Sequence, residues 1–396
     1  EMLRSLVGSE MCIRDRYDTE VGILKKRNII MEIYLIGLAV ALVGGLLMSR
    51  LTRLLHLPAV TAYLVAGLLL GPFFLGRLNV PGLGFNALEE VNVLSIVSQT
   101  ALGFIAFAMG NEFRLSQLRT IGSRAIIIGI LQAVITTIVV DVILLLLHLF
   151  FPHIISVPCA ITLGAIAAAT APAATLMVVR QYKADGPMTR LLMLVVALDD
   201  AVGLLLFSVS FGIATALSNG QVSVLAVVVE PIVEILLSVG LGGFMGLLLH
   251  WVERFFHSRS KRMSLSVAFV MLTVGLSMLE FQIGPVHCGF SLLLVCMMTG
   301  TIFCNVCPTS EELMERVDGW TMPLNILFFV ISGAELDLNV LSQPVTLIVG
   351  IIYIIARSAG KYCGANLSCR ITKEPKSIVD HLGITLLPQA GVALGM

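Results

Sequence analysis

Charge is what this sequence has least of. Only 13% of its 396 residues are Asp, Glu, Lys or Arg, whereas 57% are hydrophobic. A soluble domain carries about 25% charged residues, so the composition excludes an ordinary soluble domain and indicates a polytopic membrane protein. A basic stripe interleaved with aromatic residues is also lacking, and nucleic acid is therefore not an expected partner.

Metal-ligand motifs are equally scarce. The eight cysteines are scattered mostly through apolar runs, where a cysteine is more often a small core residue than a ligand. The close pair in CNVC, Cys304 and Cys307, lacks the second pair or the histidines that a zinc site needs. The sequence therefore predicts no cofactor, no catalytic residue and no metal beyond a transported cation.

Residues 1–30 are predicted to be a non-native leader. EMCIRDR, at 10–16, is what a transposon-end adapter of a sequencing library encodes when it is translated, and such segments are excluded from fold reasoning. Met31 opens the first apolar run, so residues 31–396 are predicted to form one transmembrane domain. That domain is expected to be truncated at its C-terminus, because the final run LLPQAGVALGM carries no flanking charge.

Long apolar runs follow one another along the rest of the chain. A membrane-spanning helix needs roughly 20 predominantly apolar residues, and such runs predict spans at 31–49, 59–76, 93–109, 125–149, 158–179, 188–213, 228–252, 264–280, 288–304, 321–338 and 345–368, with an unfinished twelfth beginning near 380. Alternate loops hold nearly all of the Lys and Arg residues, and the opposite loops hold only Arg77. Positive loops face the cytoplasm, which predicts cytoplasmic loops at 180–190 and 253–263.

Two adjacent acids, Asp199 and Asp200, interrupt the apolar run VVALDDAVGLLLF. A charge at the centre of a membrane helix costs about 2.5–3.5 kcal/mol on insertion scales, so a functional site is the default hypothesis. Arg357 lies at similar depth in another span and is the preferred ion-pair partner. Lys361, four residues later, is the second candidate partner, with snorkelling toward the cytoplasm as its alternative role. Asp141 lies nearer the end of its span and is interpreted as structural.

A carboxylate that can hold either a proton or a metal cation couples the two fluxes, which favours transport. The alternative is a purely structural ion pair between helices, although a single acid would suffice for that.

Prolines interrupt two of the predicted spans. Pro172 lies in GAIAAATAPAATLMVV, in the fifth span, and Pro388 lies in the unfinished twelfth. Proline has no backbone N–H and disrupts a helix interior. The two spans are separated by an odd number of crossings and therefore run in opposite directions. Corresponding interrupted helices in two inverted halves indicate the midplane site of a transporter.

Several of these motifs together resemble a known family. TAPAAT, ALDDA, FFVISGAELDL, ARSAGKY and LLPQAGVALG are similar to the monovalent cation:proton antiporter superfamily, in its second cation:proton antiporter branch, over about residues 31–396. The resemblance implies an all-α polytopic membrane protein with the sodium/proton antiporter-like fold, which has about thirteen helices in inverted repeats with two broken crossing helices. Twelve of these are expected here. It also implies a homodimer in the lipid bilayer whose core domain moves against a dimerising domain.

The resemblance also assigns roles to residues. Asp200 is implied to be the essential cation- and proton-binding carboxylate, Asp199 its neighbour, and Arg357 the basic partner. The two broken helices supply the remaining site residues, which are Thr170, Ala171, Pro172, Pro388 and Gln389. Members with two adjacent acids are typically electrogenic sodium/proton exchangers.

The sequence thus predicts a secondary active antiporter rather than an enzyme. It would exchange Na⁺ (or Li⁺ or K⁺) for H⁺ by alternating access, in a bacterial inner membrane with its C-terminal side cytoplasmic. A K⁺-selective efflux antiporter on the same scaffold is the alternative, and a channel or a receptor is a weaker one. An intramembrane aspartyl protease is disfavoured. Such a protease carries its two catalytic acids on different helices, commonly within a Gly-x-Gly-Asp stretch, whereas the two acids here are adjacent and the sequence lacks that stretch.

Overall fold

The computed structural model describes residues 34–52, 58–78, 84–111, 115–219, 230–279, 281–283 and 286–389. In chain order the α-helices of this part are α1 (Tyr34–Thr52), α2 (Ala59–Leu70), α3 (Leu88–Val93), α4 (Ser95–Asn111), α5 (Leu115–Phe150), α6 (Val157–Ile166), α7 (Pro172–Gln181), α8 (Pro187–Asn219), α9 (Glu230–Glu253), α10 (Arg259–Ser277), α11 (Leu292–Val306), α12 (Ser310–Ala334), α13 (Pro344–Ile371) and α14 (Lys376–Thr385). Short 3₁₀ turns lie at Leu75–Leu78 and Leu338–Ser342. The predicted all-α fold class is confirmed.

A short antiparallel hairpin, β1 (Phe281–Ile283) with β2 (Val286–Cys288), lies between α10 and α11. The hairpin was not predicted from the sequence, because it falls on the boundary between two predicted spans.

Six helices in the described residues are long and apolar enough to cross a membrane, at Tyr34–Thr52, Ala59–Leu78, Gly122–Phe150, Ile232–Glu253, Ser310–Ala334 and Pro344–Ile371. The chain is therefore an integral, multi-pass membrane protein. The predicted span 158–179 is divided between α6 and α7, as the position of Pro172 suggested. The last predicted span begins at Lys376, slightly before the expected position.

Local signals explain where several helices begin. Ser156 accepts a hydrogen bond from the Cys159 N–H at the start of α6, and Ser291 accepts one from the Leu294 N–H at the start of α11. These are N-cap contacts, which satisfy backbone donors left free at a helix start. Pro172 occupies the first position of α7, where its missing N–H costs nothing.

The chain divides into two compact units. The first comprises the residues up to Ile96 together with Ile326–Asp337, and the second comprises Val97–Asn325 and the residues from Leu338 onward. In the first unit, a Cβ on Gly67 would collide with the carbonyl of Val330. Small residues of this kind let helix backbones approach closely, so α2 packs directly on the end of α12.

In the second unit α5 packs against α13, α8 and α6. Two glycines of α13 make the closest approach possible. A Cβ on Gly360 would lie 3.1 Å from the Cα of Thr136, and one on Gly364 would lie 3.0 Å from the Gln132 carbonyl oxygen. This close packing brings one face of α13 against the polar side chain of Gln132.

Candidate ion-binding site

Two interrupted helices meet in the second unit. Residues 167–171 separate α6 from α7, and α14 ends at Thr385, so that 386–389 are not helical. The backbone N–H of Ala171 donates to the carbonyl oxygen of Pro388 at 2.9 Å. The two breaks therefore contact each other directly, as expected for two broken helices that cross.

One face of α13 supplies cationic donors to the carbonyls that these breaks leave without helical partners. Arg357 donates through Nη1 to the Leu387 carbonyl at 2.5 Å and through Nη2 to the Ala169 carbonyl at 2.8 Å. One guanidinium thus bridges both breaks. One turn later on α13, Lys361 Nζ donates to the Ala168 carbonyl at 2.5 Å.

Gln389 strengthens the same crossing from the second break. Its Nε2 donates to the Ile166 carbonyl at 3.0 Å and to the Tyr353 hydroxyl at 2.8 Å. Tyr353 lies one turn before Arg357 on α13. The crossing is therefore held by three side chains spaced four residues apart on one helix face.

Asp199 lies fully buried on α8, in direct contact with this crossing. Its Oδ2 is 2.9 Å from Lys361 Nζ and accepts a hydrogen bond from the Thr170 hydroxyl. Its Oδ1 accepts a hydrogen bond from Gln132 Nε2. Both carboxylate oxygens are thus occupied, and the side chains of Asp199 and Lys361 are 0% exposed.

Lys361 is as fully engaged as its partner. Beyond Asp199 and the Ala168 carbonyl, Nζ lies 2.9 Å from both Gln132 Oε1 and Thr170 Oγ1, so its three N–H donors are shared among four acceptors. Buried charges persist when they are paired and hydrogen-bonded. The four side chains form one closed network in which Gln132 and Thr170 each contact both charges.

The structure brings most of the predicted site residues together. Thr170 binds both charges, Ala171 and Pro388 join the two breaks, Pro172 begins α7, and Gln389 anchors the second break. Asp200 follows Asp199 on α8, but its side chain lies outside the described residues.

The assignment of the two cations needs correction. The snorkelling alternative for Lys361 was wrong, because its ammonium group is buried and paired with Asp199. Arg357, the preferred partner, binds carbonyls instead and forms no ion pair with Asp199 among the described side chains.

Sequence reasoning missed Gln132. It is fully buried and contacts both charges of the pair. The available signal was the one amide side chain in the run IIIGILQAVITTIVV. An amide both donates and accepts, which is what bridging an acid and a base requires.

Comparison with known families decides the classification of the chain. The family model described as "Sodium/hydrogen exchanger, transmembrane" matches residues 38–396. The chain belongs to the sodium/hydrogen exchanger family. The family resemblance of the motifs is therefore confirmed.

Individual relatives agree with this exchanger assignment. The chain is 24% identical over 380 residues to the Na⁺/H⁺ antiporter NhaS4 of Synechocystis sp., covering 92% of this chain and 86% of the relative. A shorter match is 31% identical over 94 residues to K⁺ efflux antiporter 5 of Arabidopsis thaliana, covering 24% of this chain and 14% of that protein.

Solved structures show the same fold. The sodium/proton antiporter MjNhaP1 of Methanocaldococcus jannaschii at pH 8 matches with a TM-score of 0.59 at 19% identity, covering 91% of this chain and 94% of the solved one. An electron-microscopy structure of the same antiporter matches with a TM-score of 0.68 at 17% identity, covering 88% and 82%. The sodium/proton antiporter-like fold predicted from the sequence is therefore confirmed.

Proposed function

We propose that this exchanger moves Na⁺ against H⁺ by alternating access, with Asp200 as the carboxylate that binds either ion and Asp199 as its paired neighbour. The observation that carries the proposal is the closed Asp199–Lys361 network beside two crossing broken helices. An ionisable group inside a membrane is a functional site by default, and broken helices near the midplane are where transporters bind ions.

The contacts of Asp199 support the roles that we assign to the two acids. Asp199 has both oxygens engaged, Oδ2 by Lys361 and Thr170 and Oδ1 by Gln132, so a cation would have to compete with these donors there. The carbonyls of Ala168 and Ala169 are occupied by cationic side chains as well. The second acid on α8 is therefore the group we assign to exchange, because one carboxylate can hold a proton or a cation but not both.

Transport in everted membrane vesicles tests this proposal. Adding Na⁺ to respiring vesicles should reverse the acidification of the lumen in the parent chain, and Asp200→Asn should abolish that response. Asp185→Asn is the matched control, since the side chain of Asp185 is 78% exposed in its salt bridge. The mechanism is refuted if the parent gives no cation-dependent response or if Asp200→Asn equals the parent.

Potassium is the second candidate cation, and one observation favours it. The short match to a K⁺ efflux antiporter is the more identical of the two relatives, although it covers 24% of the chain. The same vesicles distinguish the candidates when Na⁺, Li⁺ and K⁺ are added separately. A response to K⁺ alone would replace sodium/proton exchange with potassium/proton efflux.

We also propose that the exchanger works as a homodimer in a bacterial plasma membrane, with its C-terminal side cytoplasmic. The orientation rests on the basic loops, which include the segment containing Arg180 and Arg190 and the segment containing Arg254 and Arg262. A cysteine introduced at Lys183 should be labelled by an impermeant maleimide in everted vesicles and protected in whole cells. The opposite pattern would reverse the orientation.

A further inference from the structure

A second buried polar cluster lies where the end of α9 meets the turn between α11 and α12. His250 and Glu253 are three residues apart on α9 and so share a helix face. Cys307 follows the last residue of α11. The three residues are 8%, 3% and 3% exposed, and one donor atom from each lies within 4.8 Å of the others. Three different metal-ligating groups therefore converge below the surface.

The carboxylate of Glu253 has two distinct sides. Its Oε2 accepts a hydrogen bond from the Cys307 thiol at 3.0 Å. Its Oε1 accepts from the Thr309 hydroxyl at 3.1 Å and lies 3.3 Å from Arg262 Nε. One oxygen thus faces the thiol, while the other is held in place by a hydroxyl and a guanidinium.

His250 carries a buried ring nitrogen without a partner. Its Nε2 lies 2.8 Å from a guanidinium nitrogen of Arg254, whereas its Nδ1 is buried and has no hydrogen-bond partner in the described part of the chain. A buried polar atom left without a hydrogen-bond partner is destabilising. A ligand that orders this ring would remove that cost.

We propose that His250, Glu253 and Cys307 bind a zinc-like divalent transition-metal ion. Thiolate, imidazole and carboxylate donors together suit Zn²⁺, whereas Na⁺ resembles the hard cations that take oxygen donors. The site would therefore hold a different class of ion from the transported one. No sequence motif joins these three residues, and the sequence predicted no metal beyond the transported cation.

Metal binding at this site would replace the proton of the Cys307 thiol. The metal–sulfur bond forms as the Cys307 thiol proton leaves to water, and Glu253 Oε2 turns from that proton to the metal. Thr309 and Arg262 stay on Oε1, which is how outer partners orient a metal ligand. The exposed Arg254 side chain moves away, because a guanidinium cannot donate to a ring nitrogen that binds the metal or carries a proton. Water completes the tetrahedral set.

Cys304 provides an internal comparison. Its thiol contacts the carbonyls of Gly110 at 3.7 Å and Thr301 at 3.2 Å, whereas the thiol of Cys307 contacts Glu253. The two thiols of CNVC thus face different neighbours, so the proposed site uses Cys307 with ligands from α9 rather than the CNVC pair.

Co²⁺ binding to the purified full chain in detergent tests the proposal. One equivalent of Co²⁺ should produce a thiolate-to-cobalt band and the visible bands of a tetrahedral ion, and Zn²⁺ should displace it. Cys307→Ser should abolish the thiolate band, and His250→Gln and Glu253→Gln should each weaken binding at least tenfold. Cys304→Ser, the matched control, should bind like the parent. A thiolate band that survives in Cys307→Ser, or no band at micromolar Co²⁺, would overturn the proposal.

Two variants outside the ligand set keep the test valid if a ligand variant fails to fold. Arg262→Gln should weaken Co²⁺ binding about 10-fold by removing an outer partner of Glu253. Arg254→Gln should bind at least as tightly as the parent, because it removes the cation that competes for the His250 ring. Weaker binding in Arg254→Gln, or unchanged binding in Arg262→Gln, would contradict the assigned geometry.

Discussion

Neutralising Lys361 alone should destabilise the exchanger more than neutralising Lys361 and Asp199 together. The ammonium and the carboxylate are 2.9 Å apart, and both side chains are 0% exposed. Removing one member of a buried pair costs about 3–5 kcal/mol, because the other charge is left without a partner. Lys361→Met and Asp199→Asn should each carry that cost. The double variant buries neither charge and loses mainly hydrogen bonds, at about 0.5–1.5 kcal/mol each.

The double-mutant cycle is measured as apparent melting temperature in detergent, at one pH and one protein concentration. The expected order is parent, then the double variant, then Lys361→Met, with the two single shifts adding to more than the double shift. Arg370→Met is the control, because Arg370 lies on the same helix but is exposed. Additive shifts would refute the coupling, and an unchanged melting temperature for Lys361→Met would refute the buried pair itself.

Two other variants test the packing around the crossing. Arg357→Lys should lower the vesicle transport rate at least tenfold while leaving the amount of folded protein within about twofold. The reason is that a single ammonium lacks the fork of donors that reaches the carbonyls of Ala169 and Leu387. A parental transport rate would contradict the bridging role of Arg357. Gly164→Ala should cost about 1–3 kcal/mol by overpacking, because the new Cβ would collide with the Asp141 carboxylate. Asp141→Ser in the same chain should recover most of the lost melting temperature, and a failure to recover would show that another neighbour sets the cost.

The features that could be predicted from the sequence depend on local composition. Runs of apolar residues located the six described helices that are long and apolar enough to cross a membrane, since crossing a bilayer requires about 20 such residues whatever the neighbouring helices are. Pro172 located the first break because proline is disfavoured inside a helix but accepted at its first position, which is where it begins α7. The placement of the breaks in antiparallel spans and the family resemblance together implied that they cross, and the contact between Ala171 and Pro388 fits this.

The features that escaped prediction depend on contacts between distant segments. Gln132 and Lys361 are separated by 229 positions, and nothing local to either residue indicates the other. The same holds for the cluster of His250, Glu253 and Cys307, because the first two residues lie on α9 whereas Cys307 follows α11. Patterns among neighbouring residues cannot predict such contacts, which depend on how α5 packs on α13 and how α9 packs on α11.

The roles of Arg357 and Lys361 show this limit most clearly. The two residues are one helical turn apart on the same face of α13. Their depth and direction alone therefore could not show which of them pairs with Asp199. The surrounding acceptors decide it. Two carbonyls on separate breaks suit the planar fork of a guanidinium, whereas the acceptors gathered around Lys361 suit a compact ammonium. Because the Lys361 side chain is fully enclosed, the longer and wider arginine could not take its place without opening the network, and exchanging the two cations would therefore disrupt both the crossing and the pair.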